Sequence, residues 1–265
     1  MSIDPNSYAR WRATALGEVT ERLEVALVFT LAECRAPLRI LDVGTGDGTY
    51  AIEAARRGAS VVAVDPSPAM LAAAKRRASA AGVHIDLGNA SVTALPFPDA
   101  SFDRVMAVTV LCFVEDPVRA IAEMARVTRP GGTIVLGELN RWSLWAAKRR
   151  LAARCRGGLW RRAQFWSRGQ LARLAEDAGL MVHALRGAVH PPWLGRDQPS
   201  KPTPAWPPVT LPKGATLLRA KDATPVAIKT PVASRAAIKP GTAKGKASKK
   251  PTAKTAAATR PKPKG

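Results

Sequence analysis

Leu41-Asp42-Val43-Gly44-Thr45-Gly46-Asp47-Gly48 decides how the rest of the chain is read. The apolar run LRILDV at Leu38–Val43 reads as a buried parallel strand. The glycines after it turn the backbone sharply toward a helix and let it come close to a ligand. Their spacing is G-x-G-x-G, whereas dinucleotide enzymes place the third glycine one residue later. No G-K-[ST] follows, which excludes a P-loop. Asp42, at the strand end, would repel a pyrophosphate but suits a cation. Asp65 lies 21 residues after Gly44, at the end of the next strand-like run, where a carboxylate takes ribose hydroxyls.

Outward from this loop the pattern alternates. Helical composition over Thr49–Arg57 stops at Gly58, and SVVAV at Ser60–Val64 is a second strand. Ser67 and Pro68 open a helix that Gly82 ends. Val83–Leu87 and Phe102–Val108 are predicted as the third and fourth strands. Asp116-Pro117 opens a helix to about Val127, and Pro130-Gly131-Gly132 turns into the strand Thr133–Glu138. Ser167 and Gln170 form a capping box for a helix that ends at Gly179. Strands and helices in this alternation predict a doubly wound α/β domain, its mostly parallel sheet covered on both faces. The pocket at its glycine loop suits a positively charged ribonucleoside without phosphate, and S-adenosylmethionine has that chemistry.

The 265 residues carry 41 Lys/Arg against 20 Asp/Glu, a net charge of +21, and the excess is uneven. Residues 223–265 hold eleven Lys/Arg, no acid and no aromatic, and are expected to be a disordered basic tail. Residues 141–173 hold ten Lys/Arg, no acid, and the tryptophans Trp142, Trp145, Trp160 and Trp166. Residues 191–212 include eight prolines and read as an extended loop. The expected organisation is an N-terminal region over 1–37, a main domain over 38–222, and the tail. Three scattered cysteines (Cys34, Cys112, Cys155), no metal-ligand spacing and no apolar leader fit a reducing cytoplasm.

ILDVGTGDGTY (40–50), VVAVDPSPAML (61–71), ALPFPDASFDRVMAVTVLCFVEDP (94–117) and EMARVTRPGGTIVLGELNRWSLWA (123–146) resemble, in order, the motifs of class I S-adenosylmethionine-dependent methyltransferases. The closest resemblance is to the type 11 family, which includes ubiquinone and menaquinone-pathway enzymes, over roughly residues 8–190. It implies a Rossmann-like methyltransferase fold of seven strands with the last antiparallel, here Ala215–Lys221. It implies that Gly44 and Gly46 approach the methionine moiety with Asp42 near its ammonium, and that Gly48 starts the next helix. By the same resemblance Asp65 takes the ribose diol, Pro66 and Met70 flank the adenine, and Thr109 and Leu111 line the methyl side. Many members place an acid at the adenine amino group; here Ser91 stands there, or Asn89 if the loop is longer. Tyr8, Trp11, Gly17 and Glu24 resemble a lid helix; the plain alternative is packing of Trp11 on the core.

Methyl transfer from a sulfonium is an in-line displacement that needs alignment, and a base only when the acceptor must lose a proton. Glu138, Asn140 and His190, beyond strand ends, are the candidates for such chemistry, against loop structure or lid contacts. Cys112 reads as a small buried filler, Asp103 as a strand-start residue, His84 as structural and Phe113 as core. The insert at 141–173 reads as a solvated face with tryptophans packed inward, as an anionic-lipid contact, or as a site for an anionic acceptor. The tail suits non-specific contact with nucleic acid or another polyanion. Two functions follow: methyl transfer to a small-molecule or lipid-precursor acceptor, or a basic nucleic-acid-associated protein whose methyltransferase fold is secondary.

Overall fold

The computed structural model describes residues 5–34, 37–156, 159–188 and 215–221. His190, the proline-rich 191–212 and the tail 223–265 lie outside the described residues. The chain begins with two helices, α1 (Pro5–Arg12) and α2 (Ala15–Ala32), where the lid resemblance suggested one. Thr14 separates them, its side chain accepting the Gly17 N–H as the cap of α2. Gly17 is required there, because a Cβ would meet the Trp11 carbonyl at 2.2 Å.

Next come β1 (Arg39–Val43), α3 (Thr49–Arg56), β2 (Ser60–Val64), α4 (Pro68–Ala80), β3 (Asp86–Gly88) and β4 (Phe102–Val108). Then follow α5 (Pro117–Val127), β5 (Thr128–Leu139), α6 (Leu144–Arg156), α7 (Arg168–Asp177), β6 (Met181–Ala188) and β7 (Ala215–Lys221). The described strands form one sheet in the order β3-β2-β1-β4-β5-β7-β6. β1 to β5 run parallel, and β7 is antiparallel to both its neighbours.

Strand alternation assigns each side chain a face. In β4, Val105 and Ala107 point into the layer with Ile121 and Met124 of α5 and Leu171 of α7. Met106 between them points into the layer with Val28 of α2 and Ile52 of α3. Asp103 is structural: it accepts the Arg39 N–H at 2.6 Å and pairs with Arg129 at 2.6 Å.

Two boundaries differ from expectation. The third strand starts at Asp86, because the Val83 N–H still returns to the Ala78 carbonyl and finishes α4. Pro130-Gly131-Gly132 is a bulge inside β5: Phe102 pairs with Thr128, and Arg104 pairs next with Thr133.

Candidate functional site

Parallel pairing sets Val43 beside Val64, so the loops leaving β1 and β2 meet at one sheet edge. There lies an open cavity of about 580 Å³. The loop after β1 forms its floor. Gly44, Gly46 and Gly48 all have positive φ (66°, 56° and 86°), a region costly for other residues. They are not equivalent. A Cβ on Gly44 would strike Val110 at 2.6 Å, and one on Gly48 would press Ala74 of α4 at 3.1 Å. Above Gly46 there is open space. Gly44 and Gly46 line the cavity, while Gly48 packs two helices together.

Asp65 ties the two loops. One carboxylate oxygen accepts the Gly46 N–H at 2.9 Å and the other the Ser67 N–H at 2.8 Å. Burial pushes its pKa up, against those two hydrogen bonds. Pro66, Met70 and Ser91 continue the wall. Of the two alternatives at the adenine position, Ser91 lines the cavity, while Asn89 donates its amide to the Asp65 carbonyl at 3.2 Å.

Asp42 stands apart from this wall. It is 1% exposed and accepts the Thr45 hydroxyl at 2.6 Å. Burial pushes its carboxyl up to about 7. It shapes the loop from behind, and the structure does not bring it to the cavity surface.

The loop after β4 makes the opposite wall. Thr109 holds φ +59°, a strained position for a β-branched residue, and donates its N–H to the Gly137 carbonyl at 2.6 Å. Thr109, Val110 and Phe113 line the cavity. Leu111, expected on that side, is fully buried in the core instead. Glu138 is also not a cavity residue: it is 1% exposed beneath the loop, with one oxygen accepting the N–H groups of Val110 and Leu111. Burial raises its carboxyl to about 7, opposed by those two bonds. Cys112 is buried, its thiol pushed well up by desolvation, in keeping with a small buried filler.

Asn140 accepts the Trp142 N–H at 3.0 Å and shapes the turn into α6. The insert then folds back on the cavity. Gln164 donates its N–H to the Cys112 carbonyl at 2.8 Å, and the Trp160 ring lies 5.2 Å from that of Phe113. Arg149 covers Trp160 at 4.0 Å. Phe113 is therefore a wall residue with a partner 47 positions away, where the sequence suggested core.

Sequence reasoning missed a charged rim of Glu115, Asp116 and Arg119 on the cavity. Only Asp116 carried a local signal: it caps α5 by accepting the Arg119 N–H at 2.9 Å. Arg119 is fixed by its Nε–H donating to the Thr93 carbonyl at 2.9 Å.

Comparison with known proteins fits this geometry. A family model described as a methyltransferase domain matches residues 41–136. An uncharacterized protein of Mycobacterium tuberculosis is 36% identical over 196 residues, 73% of this chain and 64% of that one. A demethylmenaquinone methyltransferase of Thermus thermophilus is 43% identical over 110 residues, 41% of this chain and 50% of that protein. The chain thus spans less than two thirds of the length of these relatives. A methyltransferase structure from Thermotoga maritima aligns with TM-score 0.60 at 23% identity, covering 82% of this chain and 94% of that one. One from Aquifex aeolicus aligns with TM-score 0.59 at 17% identity, covering 83% and 98%. At such identities the likeness is one of fold.

Proposed function

We infer that this chain, a member of the type 11 family of class I S-adenosylmethionine-dependent methyltransferases, moves a methyl group from that cofactor to a small-molecule or lipid-precursor acceptor. The observation that carries the reading is the joint between Asp65 and Gly46. Each Asp65 oxygen accepts one N–H and keeps further acceptor capacity, as a ribose diol requires. The open space above Gly46 admits a ligand against bare backbone. Met70 and Pro66 offer apolar contact for a base, and the cavity volume is in the range of small-molecule sites.

The bound cofactor supplies an activated methyl on a good leaving group, so the protein's task is placement. Thr109, Val110 and Phe113 form the wall that aligns an acceptor and excludes water. Where the acceptor must lose a proton, Glu115 is the described wall carboxylate left for it. Asp65 is engaged by two N–H groups and Asp116 by its helix cap. His190 remains a candidate from the sequence. The demethylmenaquinone methyltransferase relative favours a lipid-precursor acceptor.

Calorimetry with S-adenosylmethionine tests the first half of the reading. Binding by the full chain, weakened roughly ten- to a hundredfold in Asp65→Asn, supports it; no binding rejects it. Transfer of labelled methyl into a fractionated lysate then identifies the acceptor class. Label in RNA or protein, with none in lipid or small molecules, rejects the second half.

A further inference from the structure

We propose that the outward face of α6, together with Trp142 ahead of it, seats the protein on an anionic lipid surface. Successive residues of an α-helix are 100° apart, which fixes the layout of Leu144–Arg156. Ala147 and Leu151 fall on one narrow apolar strip. Lys148 flanks it on one side, and Arg150 and Arg154 flank it on the other. All five are exposed, while Ala146 and Ala153 on the opposite side are buried.

Leu151 and Trp142 each expose 66% of their surface, the highest values among the large apolar side chains described. They belong to one unit. Arg141 lies over the Trp142 ring, 5.1 Å from its centroid, and Arg150 donates to the Arg141 carbonyl. Helix and tryptophan turn are therefore locked together.

Charge selects the partner. Residues 141–173 contain ten Lys/Arg and no acid, so the complement is anionic. A polyphosphate chain would engage the cations and leave Leu151 in water. A lipid interface engages both. The apolar strip enters the acyl boundary while the flanking Lys and Arg stems reach phosphate head groups. No described helix is long and apolar enough to cross a membrane. The same insert packs Trp160 on Phe113 at the cavity wall, so an acceptor dissolved in lipid would meet the cavity from this side. That use rests on the methyl-transfer reading; the lipid contact itself does not.

The test is flotation of the full chain with vesicles, comparing equal parts phosphatidylglycerol and phosphatidylcholine with phosphatidylcholine alone. The variant is Trp142→Ser/Leu151→Ser, which removes no charge and leaves the basic tail in place. Binding is expected on the mixed vesicles only. The variant should bind them about tenfold more weakly, the loss of partly inserted apolar surface. Its affinity for polyuridylate RNA and for S-adenosylhomocysteine should match the parent's, the latter showing that the fold is intact. A variant that floats as well as the parent overturns the proposal. So does an equal loss on vesicles and RNA. A chain that floats but binds no nucleoside sinks the methyl-transfer reading and leaves this one standing.

Discussion

The Glu138 carboxylate accepts the backbone N–H of Leu111 at 2.7 Å and, through the same oxygen, that of Val110 at 3.0 Å. This places a buried acid directly under the strained Thr109 turn that walls the cavity. Removing it leaves the buried Leu111 N–H and the part-buried Val110 N–H without that partner, at about 1–3 kcal/mol each, the lower end for Val110. Glu138→Leu should therefore lose roughly 2–5 kcal/mol and lower the melting temperature by about 10 °C. Glu138→Gln retains the accepting oxygen and resembles the protonated native side chain. It should lose less than about 1 kcal/mol. Thermal unfolding of both variants checks this. Equal losses would mean that the acceptor oxygen is not what holds the turn.

Asp42 gives stability an unusual pH slope. Burial pushes its carboxyl up to about 7, with hydrogen bonds from Thr45 and the Ala51 backbone pulling down and Asp65 adding repulsion. In the unfolded chain the group ionises near pH 4. Between those values the unfolded chain binds fewer protons than the folded one, so stability falls as pH rises. The ceiling of the effect is about 4 kcal/mol. Asp42→Asn keeps an oxygen for the Thr45 hydroxyl and removes the titration. Its melting temperature should match the parent's near pH 4.5 and exceed it at pH 8. If the parent gains stability relative to the variant across that interval, Asp42 is ionised in the fold and its carboxyl is not raised.

Much of this architecture was legible because the signals are local. Ser67 before Pro68, Asp116 before Pro117, and Ser167 with Gln170 each stop or start a helix through their own neighbours, and the helices begin where these residues place them. The cavity floor was legible for the same reason, since Gly44, Gly46 and Asp65 act through loops that follow strands. What depended on register was not. Glu138 reads as an acid at a strand end, and only the pairing of Val108 with Gly137 shows that it lies under Val110. Alternation after β4 could not tell which of Thr109, Val110 and Leu111 turns inward. The Phe113–Trp160 contact joins residues 47 apart, and nothing near either announces the other.

Gly46 and Gly44 should separate binding from folding. Both adopt positive φ, so alanine costs about 1–2 kcal/mol at either position. At Gly46 the added methyl enters open space where a ligand would lie. Gly46→Ala should remain folded with little further loss, while S-adenosylmethionine affinity falls at least about tenfold. At Gly44 the methyl meets Val110 at 2.6 Å, so the wall must shift as well. Gly44→Ala should lose a further 1–3 kcal/mol or so from overpacking. Unfolding and calorimetry on the two variants check both halves. Undiminished binding by Gly46→Ala would place the ligand elsewhere.

Asp47 fastens the N-terminal helices to the cavity floor. It is 3% exposed, yet pairs with Arg12 of α1 and, at 2.7 Å, with Arg77 of α4. Thr49 joins them, accepting from Arg12 at 3.1 Å and Arg77 at 3.0 Å while donating to Glu21 of α2 at 2.8 Å. Either arginine alone leaves the carboxylate with a cation, so Arg12→Ala or Arg77→Ala should cost about 1–2 kcal/mol. Losing both strands a buried charge, which costs about 3–5 kcal/mol beyond the lost contacts. The double variant should therefore exceed the sum of the singles, a sign that urea unfolding of the four chains can read. Hydrogen exchange should rise first in α1 and α2, because these helices reach the glycine loop through Arg12 and Glu21. Strict additivity would show that the two arginines act on separate partners, and that Asp47 is not the joint between the helices and the loop.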